Sequence, residues 1–496
     1  MQSRRAFLGG AMASVAGLPA VASPPEVSLR PLVRPGDLFQ QTVPSVADLV
    51  SEANLGGEVG FAVADAATGQ MLEVHNPLRG MPPASVAKAI TCAYALDRLG
   101  PGHRFRTRLE ADGEIIDGRL DGDLWLIGSG DPLFNTDALA AMAADLRELG
   151  LREVTGRLMV ADGALPNLFE IDASQPDHVG YNPAISGLNL NFNRVHFEWQ
   201  RNGTDYNVTL DARSATLRPP VRTARMEVAE RRAPIYTYSQ IEGRDHWTVA
   251  RGALGNSGAR WLPVRKPTEY LVEVFQSLTR SNGLILNEVT YSNAVPPDGL
   301  VIVEHVSPPL DDMLRGMMRW STNLTAEVVG LSATQAGGVQ PESLSHSASE
   351  MNAWMRDRLG ARQARFVDHS GLGDQSRVRP QDMTQALVSS GANGLLRRLM
   401  RDIPMRDASG APMADHPIKV VAKTGTLNFV STLAGYATTP GGRHLAFTVF
   451  CGDIERRAAL TEAERERPPG ARTYNRRAKR LQQALIERWS ALYGAV

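Results

Sequence analysis

Lysine is scarce in this chain of 496 residues: five of its 53 basic residues are lysine and the rest are arginine. Cysteine is scarcer still. Only Cys92 and Cys451 occur, so at most one disulfide can form. The formal net charge is zero, so nothing in the overall balance predicts the electrostatic field of a nucleic-acid binder. Long apolar runs are missing too: none reaches the ~18 uninterrupted residues of a membrane-spanning helix. The ten histidines are scattered without an H-E-x-x-H, which argues against a metal hydrolase, and no metal or other cofactor is expected. The absence of G-x-S-x-G argues against an α/β-hydrolase.

What is present begins with a leader. Ser3-Arg4-Arg5-Ala6-Phe7-Leu8 has the form of a twin-arginine export signal, a weakly apolar stretch runs from Gly9 to Leu18, and Ala20-Val21-Ala22 offers a cleavage site. Residues 1–22 are therefore expected to be removed on export to the periplasm. That compartment would permit Cys92 and Cys451 to pair, but both fall in apolar segments and read first as small buried core residues. With 43% hydrophobic and 21% charged residues the remainder is ordinary globular protein, long enough for two or three domains.

The coarse pattern divides the chain. Val43 to Asn54 reads as a helix, Gly60 to Asp65 and Met71 to Val74 as strands, and Ala84 to Leu99 as a helix approached by the rigid Pro82-Pro83. From about residue 106 the segments become short and alternating, with turn signals at Asp112-Gly113, Asp117-Gly118 and Asp121-Gly122. This β-rich block is expected to be an insert over 106–264, with an inner subdomain at about 131–213. The flanking pieces, 23–105 and 265–496, read as one α/β domain. Long helical stretches are expected there at Leu310 to Gln335 and Pro380 to Leu399, and a closing helix at Tyr474 to Leu492.

The lysines then become informative. Arginine cannot give up its proton at usable pH, whereas a desolvated lysine can. Two of the five lysines lie in Ser85-Val86-Ala87-Lys88 and Lys423-Thr424-Gly425-Thr426. The first pattern puts a hydroxyl and an amine one turn apart on one helix face, near helix-terminal N–H groups that could bind an oxyanion. A neutral Lys88 could take the Ser85 proton as that oxygen attacks, provided burial or a nearby cation lowers its pKa from ~10.4. Alone the spacing is common. Lys-Thr-Gly is sharper: with five lysines it arises by chance about once in fifty such chains. Gly425 removes a side chain where a substrate backbone would need to approach closely. Between the two lies Ser321-Thr322-Asn323, which offers a hydroxyl and an amide at what reads as a helix start.

The order Ser-x-x-Lys, Ser-x-Asn, Lys-Thr-Gly resembles the penicillin-binding proteins and serine β-lactamases. The wide gap between Ser85 and Ser321 is similar to that of the low-molecular-mass D-alanyl-D-alanine carboxypeptidase/endopeptidase family. Its α/β (α+β) transpeptidase-like domain is interrupted by nested β-rich insert domains. Gly128-Ser129-Gly130-Asp131-Pro132, Tyr181 to Ser186, Asn323-Leu324-Thr325-Ala326-Glu327 and Asp368-His369-Ser370-Gly371-Leu372 match the same family. Thr322, Trp320 and His369 depart from its usual pattern, which commonly has Asp or Asn, a basic residue and glycine at these places.

The resemblance implies roles. Ser85 would be acylated, Lys88 would be its base, and Ser321 would pass a proton to the leaving amine. Asn323 would bind the acyl side. Lys423, Thr424 and Thr426 would hold the substrate carboxylate, with Gly425 allowing close approach. The N–H groups of Ser85 and Thr426 would form an oxyanion hole. The implied partners are peptidoglycan peptides and, as inhibitors, β-lactams. Two alternatives stay open: an inactive cell-wall-binding protein, and an esterase or β-lactam hydrolase on the same fold. Against the last, this chain lacks the E-x-x-L-N of the β-lactamases that deacylate through a glutamate-held water.

Overall fold

Strict alternation organises the strands His444–Gly452 and Glu58–Asp65. Leu445, Phe447, Val449 and Cys451 face one apolar cluster, while Ala446 and Phe450 face another. Val59, Phe61 and Val63 join the first cluster in the same way. A strand buried on both sides must have a layer on each face, and that is the arrangement found in the computed structural model, which describes residues 43–286, 288–292, 299–466 and 468–495. The expected signal peptide and its cleavage after Ala22 lie outside these residues.

The sheet is antiparallel throughout. Its order is Arg401–Asp402, Lys419–Leu427, Val430–Thr438, His444–Gly452, Glu58–Asp65, Met71–His75. One face carries the long closing helix Ala471–Tyr493. It lays Leu481, Leu485, Ile486 and Trp489 on the sheet. Trp489 packs against Phe61 and Phe447, with centroids 5.4 and 5.8 Å away, and its indole N–H donates to Glu73 at 2.9 Å. The other face is covered by helices, chiefly Ala87–Leu99, Asn323–Ala336 and Pro380–Ser390.

Cys92 belongs to the helical layer and Cys451 to the face under the closing helix. The sheet therefore separates them, and both are free thiols. Burial pushes each thiol pKa up, that of Cys451 to about 12.

The middle of the chain builds a second body around its own core. A sheet in the order Val289–Ser292, Leu158–Ala161, Arg119–Ile127, Arg106–Ile116, Leu300–Val306 packs with helices Thr136–Glu148 and Pro267–Ser281. Two three-stranded sheets add to it: Arg194–Asn202 between Asp205–Asp211 and Ser257–Pro263, and Arg244–Ala250 between Ala224–Ala229 and Tyr236–Ile241. The sequence reading ends the insert at 264. Strand Leu300–Val306, however, pairs with Arg106–Ile116, and helix Pro267–Ser281 shares the insert's core. We therefore place the return to the first domain at about residue 306. The inner limit at 213 also falls between paired strands, since Arg194–Asn202 bonds to Ser257–Pro263.

Of the three Asp-Gly turn signals only Asp117-Gly118 makes the turn. The other two glycines face each other across the ladder, at φ +152° and +157°, where a Cβ on either would overlap the opposite backbone. Pro380 to Leu399 is two helices, Pro380–Ser390 and Leu395–Leu399, parted at Gly391.

Candidate active site

Ser85 sits on a strained turn. Pro83 is followed by Ala84 at φ +46°, then a short 3₁₀ turn Ala84–Val86 that runs into helix Ala87–Leu99. A left-handed alanine costs roughly 1–2 kcal/mol, so neighbours must hold it. Thr432 donates its hydroxyl to the Pro83 carbonyl at 2.8 Å. Strand Lys419–Leu427 passes so close that a Cβ on Gly425 would overlap Thr432 Oγ1 and lie 2.9 Å from both Ala84 Cβ and Pro83 O. Glycine in Lys-Thr-Gly is thus needed to bring the strand against the serine turn.

One turn beyond Ser85, Lys88 is fully buried. Its Nζ donates to Ser85 Oγ at 3.1 Å, to Asn323 Oδ1 at 2.7 Å and to the Ser370 carbonyl at 2.7 Å. Burial lowers its pKa to about 8, against the opposing pull of Glu327 and Asp368. As a neutral amine Lys88 keeps two hydrogens for Asn323 and Ser370 and turns its lone pair to the Ser85 hydroxyl. That is the geometry of a base.

Ser321 does not open a helix, as its sequence context suggests. It closes helix Leu310–Trp320 in the left-handed conformation (φ +61°), and Thr322 caps the next helix, Asn323–Ala336. This break divides the single helix expected over Leu310 to Gln335. It aims Ser321 and Asn323 into one cleft. Ser321 Oγ accepts from Lys423 Nζ at 2.9 Å, and Lys423 also donates to the Thr424 carbonyl at 2.9 Å. Burial, then repulsion from Lys88 and Arg401, lowers the Lys423 pKa to about 6.

The cleft is a cavity of about 320 Å³ lined by Ser85, Ser321, Asn323 and Thr426 among others. Lys423 stands behind Ser321, Gly425 behind the serine turn, and Thr424 lies off the lining. Among the described residues, one edge of strand Lys419–Leu427 is paired only over Val420 to Ala422, by the short strand Arg401–Asp402 and the Ile403 that follows it. Leu427 and Val430 flank a two-residue turn, so Thr426 falls at a non-bonded position of the inner ladder. Its N–H therefore points to the open edge. Val420 shows the same phase, accepting Ile403 N–H across that edge. The insert reaches the cleft as well: Asn323 Nδ2 donates to the Tyr181 carbonyl at 2.8 Å, and Gln175 and Tyr181 join the lining.

Two buried carboxylates have no role in the sequence reading. Glu327 accepts N–H groups of His369 and Ser370, and Asp368 accepts those of Gly371 and Gly373. Burial raises both pKa values, that of Glu327 to about 8. The available signal was position: Glu327 lies four residues after Asn323, on the same helix face. His369 is buried and neutral, its pKa lowered to about 3, and its Nε2 lies 2.7 Å from Ser347 Oγ. In the insert, His196, Glu198 and Asp211 bring three ligand-type atoms within 4.8 Å, but Arg213 already donates to both carboxylates, at 2.6 and 2.9 Å.

Ordered this way, the chain matches the family described as D-Ala-D-Ala carboxypeptidase 3 (S13) over residues 42–466. The chain belongs to the S13 family. Among its relatives is D-alanyl-D-alanine carboxypeptidase DacB of Haemophilus influenzae, 25% identical over 458 residues, covering 85% of this chain and 92% of that protein. Another is the D-alanyl-D-alanine carboxypeptidase of Actinomadura sp. (strain R39), 28% identical over 429 residues, covering 79% and 77%. The crystal structure of penicillin-binding protein 4 (dacB) from Haemophilus influenzae superposes with a TM-score of 0.71 at 20% identity, over 90% of this chain and 99% of that one. The S13 fold is thus shared, and the expected transpeptidase-like fold class is met. Among the described residues no helix is long and apolar enough to cross a membrane.

Proposed function

We propose that this S13-family enzyme, a serine-type D-Ala-D-Ala carboxypeptidase, acts on peptidoglycan stem peptides through an acyl-enzyme on Ser85. The carrying observation is Lys88: a buried amine, lowered toward neutrality, whose one free valence is turned to Ser85 Oγ. In acylation the Ser85 proton goes to Lys88 as Oγ bonds to the carbonyl carbon. The N–H groups of Ser85 and Thr426 receive the oxyanion. As the amide C–N bond breaks, Ser321 gives its proton to the departing amine and is reprotonated by the proton Lys88 took up, so Lys88 returns to neutral, with Lys423 steadying the Ser321 oxygen. Asn323 orients Lys88 and meets the acyl side of the substrate. Lys423, Thr424 and Thr426 take the carboxylate of the leaving residue. Water then frees Ser85.

Export to the periplasm is part of this reading and rests on the leader Ser3 to Ala22. β-Lactam inhibition is part of it too, supported by the solved complex of the Haemophilus influenzae protein with a β-lactam. The deciding experiment is labelling with a fluorescent penicillin. Ser85 carries the label, and Ser85→Ala abolishes it; label that persists in that variant refutes the assignment.

A further inference from the structure

Beside the cleft lies a larger cavity, about 890 Å³ against about 320 Å³. It runs between the closing helix and the turn at Arg406–Gly410, and it meets the cleft at Thr426 and Asn475, which line both. One helix presents Arg472, Arg476, Lys479 and Arg480 to it. These residues recur three to four apart, on one exposed face. None of the four side chains makes an ion pair or hydrogen bond among the described residues. The acids in the wall are engaged elsewhere: Asp407 accepts Ser409 Oγ at 2.6 Å and Ala411 N–H at 2.9 Å, and Glu487 accepts Gln483 Nε2 at 3.1 Å. Like charges one turn apart weaken a helix, so folding does not account for this stripe. In a chain of zero net charge it concentrates positive potential where the cleft opens.

Position says what could use it. In the proposed reaction, on which this inference rests, the carboxylate of the leaving residue sits at Lys423, Thr424 and Thr426. A departing D-alanine ends there, and the basic groove begins beyond it. Only a leaving group that continues past that carboxylate can enter: the second peptide of a crosslink, whose amine is released when the amide C–N bond is exchanged for the Ser85 Oγ–C bond. Such a strand carries further carboxylates. Asn475 marks the junction, with Nδ2 donating to the Leu427 carbonyl at 3.3 Å and Oδ1 without a partner among the described residues. We infer that the groove is the subsite for the leaving strand of a crosslinked stem-peptide dimer, an anionic peptide held by Arg472, Arg476, Lys479 and Arg480.

The test compares two substrates in one variant of the full mature enzyme. Arg476→Glu/Lys479→Glu is expected to lower kcat/KM for cleavage of a crosslinked muropeptide dimer by on the order of tenfold, acting mostly through KM. D-alanine release from a monomeric pentapeptide and penicillin labelling of Ser85 should change less than about twofold, since neither Arg476 nor Lys479 lines the cleft. Raising ionic strength from about 50 to about 300 mM should slow the dimer reaction more in the wild type than in the variant. Neutral Arg476→Gln/Lys479→Gln should fall between, and full penicillin labelling certifies the fold of each variant. Equal losses on both substrates, no loss on either, or a dimer the wild type leaves uncut each overturn the inference while leaving the Ser85 reading intact. So would capture of the chain by phosphatidylglycerol vesicles that the variant abolishes with dimer cleavage unchanged, because the groove would then serve a membrane surface.

Discussion

Glu327 holds Ser370 in place: its Oε1 accepts the Ser370 N–H at 2.9 Å, while Oε2 accepts that of His369 at 2.9 Å. The carbonyl of Ser370 is one of the three acceptors around Lys88. A carboxylate that touches no substrate therefore determines where the candidate base points. Glu327→Gln places an amide N–H₂ where two N–H groups seek an acceptor, leaving a buried donor unpaired. That costs about 1–3 kcal/mol. Penicillin acylation should slow by on the order of tenfold, and the melting temperature should fall. A variant with wild-type acylation rate would show that the loop needs no such hold.

Lys88 sets the pH response. Its pKa in the free enzyme is lowered to about 8. The neutral form, which can accept the Ser85 proton, therefore grows as pH rises through that value. The second-order rate of penicillin acylation should climb with pH and level off above about 9. A flat profile, or one that falls across this range, would remove Lys88 from the role of base.

Lys423 responds in the opposite sense. Empty, it is held near pKa 6 by burial and by two neighbouring cations, so it is mostly neutral at pH 7. A substrate carboxylate beside it favours the ammonium and raises the pKa. Between the two values, binding must take up a proton. Calorimetry of Ser85→Ala with a D-alanyl-D-alanine peptide, run at pH 7.5 in buffers of different ionisation enthalpy, should show uptake approaching ~1 proton per ligand. Uptake should vanish below about pH 5, where free Lys423 is already charged. No uptake at the higher pH would place the carboxylate elsewhere.

How much of this was legible follows from where each contact originates. Ser85, Lys88, Ser321, Asn323 and Lys423 stood out because their chemistry sits in short windows of a chain that hardly uses lysine. The strand His444–Gly452 and the closing helix were legible because burial follows their periods. The break at Ser321 was not, because a left-handed serine leaves the apolar pattern on either side unchanged. The insert's end was missed because its last strand returns to pair with its first, across a separation that local pattern cannot report. Glu327 and Asp368 stood in stretches that match the family, but they act through backbone N–H groups, which every residue has, so nothing in those stretches told what the two carboxylates hold.

His369 illustrates a departure that is built in rather than tolerated. Its ring lies against the Cα of Gly330 on helix Asn323–Ala336, so closely that a Cβ there would overlap the imidazole. The ring also stacks parallel to Tyr94 at 6.4 Å and reaches Ser347, in a core with no room to yield. Gly330→Ala alone should destabilise by about 3 kcal/mol through overpacking. His369→Gly alone should lose a comparable amount through the cavity left by the imidazole, since the Ser347 hydroxyl keeps Thr334 Oγ1 as a partner at 2.6 Å. Together they should not add, since the new methyl group enters space the imidazole has left. A coupling of at least ~1 kcal/mol toward rescue is expected from chemical denaturation of the four proteins of the cycle. Additive losses would mean that the glycine at 330 serves the helix itself and not the histidine above it.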